Sequence, residues 1–307
     1  MRAKLLLPAL AAVVLILAGC DFEDLDGFAR YHRDFHYSHP LKAGGRLSAE
    51  TFNGSVEVST WDQDTVDISG TKYGRSQQEA DDLKIDIDHG PASVTVRAIR
   101  PITRRGNSGA RFVIKVPRST VFDNLVSSNG AIRIVDAVGP ARLKTSNGQI
   151  QVKGMRGELR AETSNGAIEL LDIEGGVAAH TSNGHIRAEG LSGALDASTS
   201  NGSINARLDR ADGEVRLESS NGSLDLTLPP NSACPVRAHT NNSHITVRLP
   251  GQVNARVSAR TSNGSVSSDF EMRVQGQFSK HSMEGTIGSG GPLLDLSTSN
   301  SSIRLLR

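Results

Sequence analysis

For much of its length the chain is written in short runs of alternating apolar and polar residues. Around Thr163-Ser164-Asn165-Gly166, the residues Leu159, Ala161 and Thr163 share one parity, and Ile168 and Leu170 alternate beyond the corner. Period-two alternation reads as half-buried strand, so each unit is expected to hold two short strands meeting at the Asn-Gly corner. A second, glycine-rich turn lies midway between corners, as in "KGMRGE" and "DIEGGV". One segment reads as helix: "SQQEADD", where Ser76 and Glu79 form a capping box.

The unit repeats. Corner asparagines fall at Asn129, Asn147, Asn165, Asn183 and Asn201 in steps of 18, then at Asn221, Asn242, Asn263 and Asn300 in steps of 20, 21, 21 and 37. An earlier copy, "TFNGSVEV", contains Asn53. The last, long step is expected to cover two coils, with Met283 to Ile287 as a degenerate middle copy and "SSIRLLR" as the final coil. A unit of this length has a perimeter of roughly 60 Å, which suits one turn of a solenoid.

Asn-Gly corners also make hairpins, so an antiparallel meander is the competing architecture. It is disfavoured because each strand matches the same strand one repeat on better than its own neighbour. The expected fold is therefore all-β, a parallel β-solenoid (single-stranded β-helix) of about 18–21 residues per coil. Parity turns the corner threonines inward, where they bond to one another or to backbone. The asparagines are expected to form a side-chain ladder and to adopt left-handed backbone, with glycine supplying a second unusual dihedral. These are structural roles. An inward threonine column also argues against an ice-binding face.

The first residues stand apart. Arg2 and Lys4 precede the apolar run Leu5 to Leu17, followed by Ala18, Gly19 and Cys20. That order describes a signal peptide, and Leu17-Ala18-Gly19-Cys20 resembles the lipobox of bacterial lipoproteins. The resemblance implies cleavage after residue 19, lipidation of Cys20 and anchoring to a membrane. Residues 20–40 are then the lipidated Cys and a spacer, residues 41–122 an irregular N-terminal β region, and residues 123–307 the regular solenoid. Residues 41–307 are expected to form one continuous domain, with "LKIDID" and "SVTVRAI" joined through the turn "HGPA".

Composition narrows the chemistry. Lys and Arg number 34 against 33 Asp and Glu, which gives no reason to expect a nucleic-acid partner. Cys234 is the one thiol besides Cys20, and it reads as a small buried apolar residue. Acids do not line up in columns: Asp136 and Asp172 share a repeat position with Gly154 between them, and Glu162 falls in register with Lys144 and His180. No catalytic residue, cofactor or metal site is therefore expected. The pairs His180/His185 and His239/His244 flank corners three coils apart, too far to share an ion. His32 and His36 share one strand face, while His39 lies on the other. The stretch from Pro91 to Arg118 carries Arg97, Arg100, Arg104, Arg105, Arg111, Lys115 and Arg118 with no acid. Arg100, Arg104, Arg105 and Arg111 are the candidate contacts to an anionic membrane surface; the alternative is a solvated hairpin.

The pieces "LKAGGRLSAETFNGSVEVSTWDQDTVDISGTKYG", "FVIKVPRSTVFDNLVSSNGAIRI", the repeats and "GTIGSGGPLLDLSTSNSSIRLL" resemble the bacterial DUF4097-type family of "putative adhesin" lipoproteins. The resemblance runs from near Tyr37 to the end. It implies a right-handed solenoid-like fold and a cell-envelope location, with no catalytic residues to carry over. The expected function is a non-enzymatic, lipid-anchored envelope scaffold for adhesion, binding or envelope organisation, with a glycan or protein partner. A polysaccharide-active lyase or hydrolase on the same scaffold and an envelope-stress sensing module are the alternatives.

Overall fold

Alternation and corners wind the chain into flattened coils, each giving one strand to each of two sheets, of 13 and 14 strands. The computed structural model describes residues 31–100, 108–230, 232–274 and 279–307. Each coil can be named by its corner asparagine. The Asn147 coil contains strands Ala141–Lys144 and Ile150–Arg156, and the Asn165 coil contains Leu159–Glu162 and Ile168–Glu174. Stacking is parallel and in register, so that Ile150 pairs with Ile132 on one side and Ile168 on the other.

The core follows from that register. Ile132, Ile150, Ile168, Ile186 and Ile204 form one column, each at most 1% exposed. Opposite them run Leu143, Ala161, Ala179, Ala197 and Leu217, buried just as fully. Each buried isoleucine contributes about 1.5–3 kcal/mol, so the interior is built from many equal increments rather than a few large aromatics. The mid-coil turns need glycine for its dihedral: Gly139, Gly157, Gly175 and Gly193 lie at φ 136 to 141°. Their amides continue the stack, as where Gly157 donates to the carbonyl of Glu174 at 2.8 Å.

Through the middle of the molecule, stacking order is chain order. At both ends it is not. The Asn53 coil (Arg46–Thr51 and Val56–Trp61) lies between the Asn129 coil and a coil made by Ser93–Ile99 and Gly109–Pro117. At the other end, the Asn300 coil (Leu293–Thr298 and Ile303–Leu306) sits between the Asn242 and Asn263 coils. The expectation that "SSIRLLR" forms the final coil is therefore corrected: the Asn263 coil lies beyond it. Met283 to Ile287 is not a stacked middle copy either. Strand Ser282–Ile287 runs antiparallel to Ala255–Thr261, and Met272–Val274 pairs antiparallel beyond it at the edge of the sheet.

Antiparallel strands also close the first end. Tyr31–Pro40 pairs with Thr65–Gly74, which pairs with Gly109–Pro117; Lys84–His89 forms a hairpin with Ser93–Ile99. The turn expected at "HGPA" makes that hairpin. The helix spans Gln77–Asp82; the Ser76 hydroxyl accepts from the Glu79 amide at 3.2 Å, and the Glu79 carboxylate accepts from the Arg75 amide at 2.9 Å. The basic stretch is not a hairpin, because Ser93–Ile99 and Gly109–Pro117 belong to different sheets.

Candidate functional surface

The corner edge is the most regular surface of the molecule. Its asparagines form one ladder in which each Nδ2 donates to an Oδ1 of the coil before it, at 2.5 to 2.8 Å. In space the ladder runs Asn53, Asn129, Asn147, Asn165, Asn183, Asn201, Asn221, Asn242, Asn300, Asn263, so Asn263 donates to Asn300. The residue before each asparagine, serine in all but the Asn53 and Asn242 coils, extends the edge, as where the Asn165 amide donates to the Ser146 carbonyl at 2.9 Å. Most of this polar ridge is satisfied along its own axis.

Beneath it lies a second ladder. The Thr163 hydroxyl, 7% exposed, donates to the Gly148 carbonyl at 3.1 Å and accepts from the Gly166 amide at 3.2 Å. Thr145, Thr181 and Thr199 repeat this, and Ser219 substitutes with the same two bonds. No buried side-chain nitrogen or oxygen lacks a partner among the described residues.

The reason for glycine at the corner differs from the expected one. No corner asparagine has left-handed φ; among the described residues the only non-glycine residues with it are Asp136 and Asp172. Of the corner glycines, only Gly54 has positive φ, at 122°. The others are required because a Cβ would collide with the carbonyl of the preceding coil, 1.7 Å away at Gly166 and 1.8 Å at Gly184. Close stacking, rather than an unusual dihedral, fixes these positions.

Left-handed backbone appears instead in a bulge of the 13-stranded sheet. Asp136 and Asp172, both at φ 55°, alternate with Gly154 and Gly190 at φ 66 and 69°. The two carboxylates line one trough of about 330 Å³ with Arg118 and Arg156. Two coil steps of about 4.8 Å separate them, at the outer limit of the spacing that glycoside-cleaving carboxylates use. Both arginines are already engaged, Arg118 with Asp62 at 2.8 Å and Arg156 with Glu174 at 3.1 Å.

A second trough, of about 570 Å³, lies on the face carrying Arg142, Arg160, Ala178, Asp196 and Arg216 in successive coils. Charges here pair locally. Arg160 donates to Glu162 at 2.6 Å and Arg216 to Glu218 at 2.6 Å. That bond, with further help from Lys144 and His180, holds the Glu162 carboxyl below the usual carboxylate range despite partial burial. His180 and His239 each meet a serine of an adjacent coil, Ser198 at 2.7 Å and Ser297 at 2.8 Å.

Among the described residues, no group of three or more His, Cys, Asp or Glu is arranged to hold a metal ion. Cys234 is 3% exposed, and burial pushes its thiol up. At the first end, His36 pairs with Asp67 at 2.5 Å, while His39 stacks on His89 with ring centres 4.0 Å apart. Burial, then the neighbouring His89, lowers the pKa of His39.

Of the candidate membrane contacts, Arg100 covers the Phe52 ring at 4.3 Å and Arg111 stands on strand Gly109–Pro117. Arg104, Arg105 and Cys20 lie outside the described residues. No helix among the described residues is long and apolar enough to cross a membrane.

Solved structures to which the chain is similar include the following two. A "putative adhesin" from Bacteroides fragilis is 12% identical, with 89% of this chain and 97% of that one covered at a TM-score of 0.41. A "putative cell adhesion protein" from Clostridium sporogenes is 10% identical, with 89% and 99% covered at a TM-score of 0.21. No curated protein matches the chain. The profile of one family spans residues 46–249, from the Asn53 coil through the Asn242 coil, and the chain belongs to that family, Toastrack DUF4097.

Proposed function

We propose that this protein is a non-enzymatic scaffold of the bacterial cell envelope, tethered to a membrane by a lipid on Cys20 and presenting a rigid β-solenoid to a glycan or protein partner. The observation that carries this reading is the pair of unbroken ladders. The Asn and Thr side chains tie successive coils together at one edge, producing stiffness along the axis without a chemical centre. Partly exposed acids are interleaved with arginines, as Glu162 is with Arg160 and Glu218 with Arg216, a pattern suited to a polar contact face. Arg100, Arg104, Arg105 and Arg111 cluster in sequence and suit an anionic surface, each charge contributing about 1 kcal/mol close to the headgroups.

Metabolic labelling of cells with a clickable fatty acid tests the tether. The natural chain should take up label and Cys20→Ser should not; label persisting on Cys20→Ser refutes lipidation there. Vesicle co-sedimentation tests the basic segment. Arg104→Glu with Arg105→Glu should weaken binding to vesicles containing anionic lipid and leave binding to neutral vesicles unchanged. A pull-down with the mature chain from its own envelope extract then separates a glycan partner from a protein one.

A further inference from the structure

The Asn300 coil occupies a slot whose two walls both come earlier in the chain. One wall is the Asn242 coil, strands Val236–Thr240 and Ile245–Arg248, backed by the whole array. The other is the Asn263 coil, whose strand Ala255–Thr261 is held on its far side by Ser282–Ile287. Residues 250–254 join the walls directly. They bridge two coil steps, about 10 Å, well within the reach of five residues. The Asn242 wall and strand Ala255–Thr261 therefore have support of their own without the coil between them, while Val266–Ser268 takes its strand partner from that coil.

The coil enters the slot as one unit. Leu294, Leu296, Ile303 and Leu305 are at most 2% exposed, Thr298 donates to the Ser243 carbonyl at 2.9 Å, and Asn300 bridges Asn242 and Asn263. Its strands pair in parallel on both sides. The chain reaches it through Gly288-Ser289-Gly290-Gly291-Pro292, with Gly288 at φ 61° and Gly290 at φ 83°. This loop passes from the far side of Ala255–Thr261 to its near side, held where the Ser289 amide donates to Asn254 Oδ1 at 2.9 Å.

We propose that the slot accepts the same coil from a second copy of this chain, so that two molecules exchange residues 293–306. Every pairing, buried side chain and ladder bond is kept in the exchanged form, and only the path of residues 288–292 changes. Exchange of an identical element across a short hinge is a low-cost route to a dimer. Shortening the hinge blocks the return path within one molecule and leaves the path to a partner open.

The test uses the full chain in a Cys20→Ser, Cys234→Ala background with His239→Cys and Ser297→Cys, two positions paired in register across one wall of the slot. In the closed monomer the new disulfide is intramolecular, and in the exchanged dimer it is intermolecular. Deleting Gly290 and Gly291 should raise the dimer fraction several-fold by light scattering, with the dimer covalent on a non-reducing gel. A second arm unfolds the chain with its natural hinge and refolds it at high concentration, where covalent dimers should again form. The proposal is overturned if the folded short-hinge chain stays monomeric, if dimers form without the intermolecular bond, or if refolding gives only the intramolecular one.

Discussion

The middle of the molecule and its two ends are built from the same coil, yet they obey different rules of assembly. From Asn129 to Asn242, each coil stacks on the one just made, so the contacts are as local as a solenoid allows. At the ends, the Asn53 and Asn300 coils stack out of chain order, and antiparallel strands finish both sheets at the first end and the 14-stranded sheet at the second. Corner chemistry thus fixes the shape of a coil and the face by which it stacks. It does not fix which coil comes next. The ends also solve a problem that the middle never meets, because a parallel stack leaves open strand edges ready to pair with another chain. Antiparallel pairs cover three of the four: Tyr31–Pro40 with Thr65–Gly74 and Lys84–His89 with Ser93–Ile99 at one end, Met272–Val274 with Ser282–Ile287 at the other.

Crowding a corner glycine should cost the most, and the cost should spread differently in the middle and at the end. Gly166→Ala sets a Cβ 1.7 Å from the Gly148 carbonyl, and Gly264→Ala sets one 1.8 Å from the Ser301 carbonyl. The collision is with backbone in both, costing about 3 kcal/mol or more. In the middle, Gly166→Ala should lower the denaturant midpoint of the whole array. At the end, Gly264→Ala should release only the Asn263 coil and its hairpin, seen as lost hydrogen-exchange protection at residues 255–287 with residues 141–228 still protected. Equal, global loss in both variants would show that the ends are not separable.

Removing a rung of the inner ladder should cost less. Thr181→Val keeps the shape but strips the partner of the Gly166 carbonyl and the Gly184 amide, bonded at 3.0 and 3.2 Å. A destabilisation of about 2 kcal/mol is expected from equilibrium unfolding. A cost near zero would mean that strand pairing alone carries the corner.

The smallest effect sharpens the account of the exposed charges. Because Arg160 depresses the Glu162 pKa, the pair's contribution is fully present above the unfolded carboxylate value, about 4.3, and is lost as pH falls through the lower folded value. Glu162→Gln should therefore cost about 0.5 kcal/mol near neutral pH and nothing at the acid end, read from paired unfolding curves. A cost independent of pH would point to packing rather than charge.

Much of the coil was legible in the sequence because its causes are local. Alternation told which side chains face inward, and the recurrence of Thr-Ser-Asn-Gly told where each coil bends. The role of the corner glycine was misread because its constraint is a carbonyl 18 residues away in sequence, which no local rule can see. The interleaved end was missed for a similar reason, although a trace was present. Asn242 and Asn300 are the two corners followed by serine, and they prove to be stacked neighbours. The step of 37 before Asn300 was the other trace, since a chain that must leave the stack, turn back and re-enter needs extra length. The opposition of Asp136 and Asp172 was visible as a shared position, but their left-handed backbone was not, because that bulge exists only once the strands are paired.

The sequence by itself determined that this chain makes coils, how long each is and which residues fill them, because strand alternation and turn chemistry act within a few bonds. Only the tertiary structure decided the order of the coils at the ends and the need for a bare Cα at the corners. Both are settled between segments far apart in the chain, where strand pairing and close backbone contact, rather than local preference, select the arrangement.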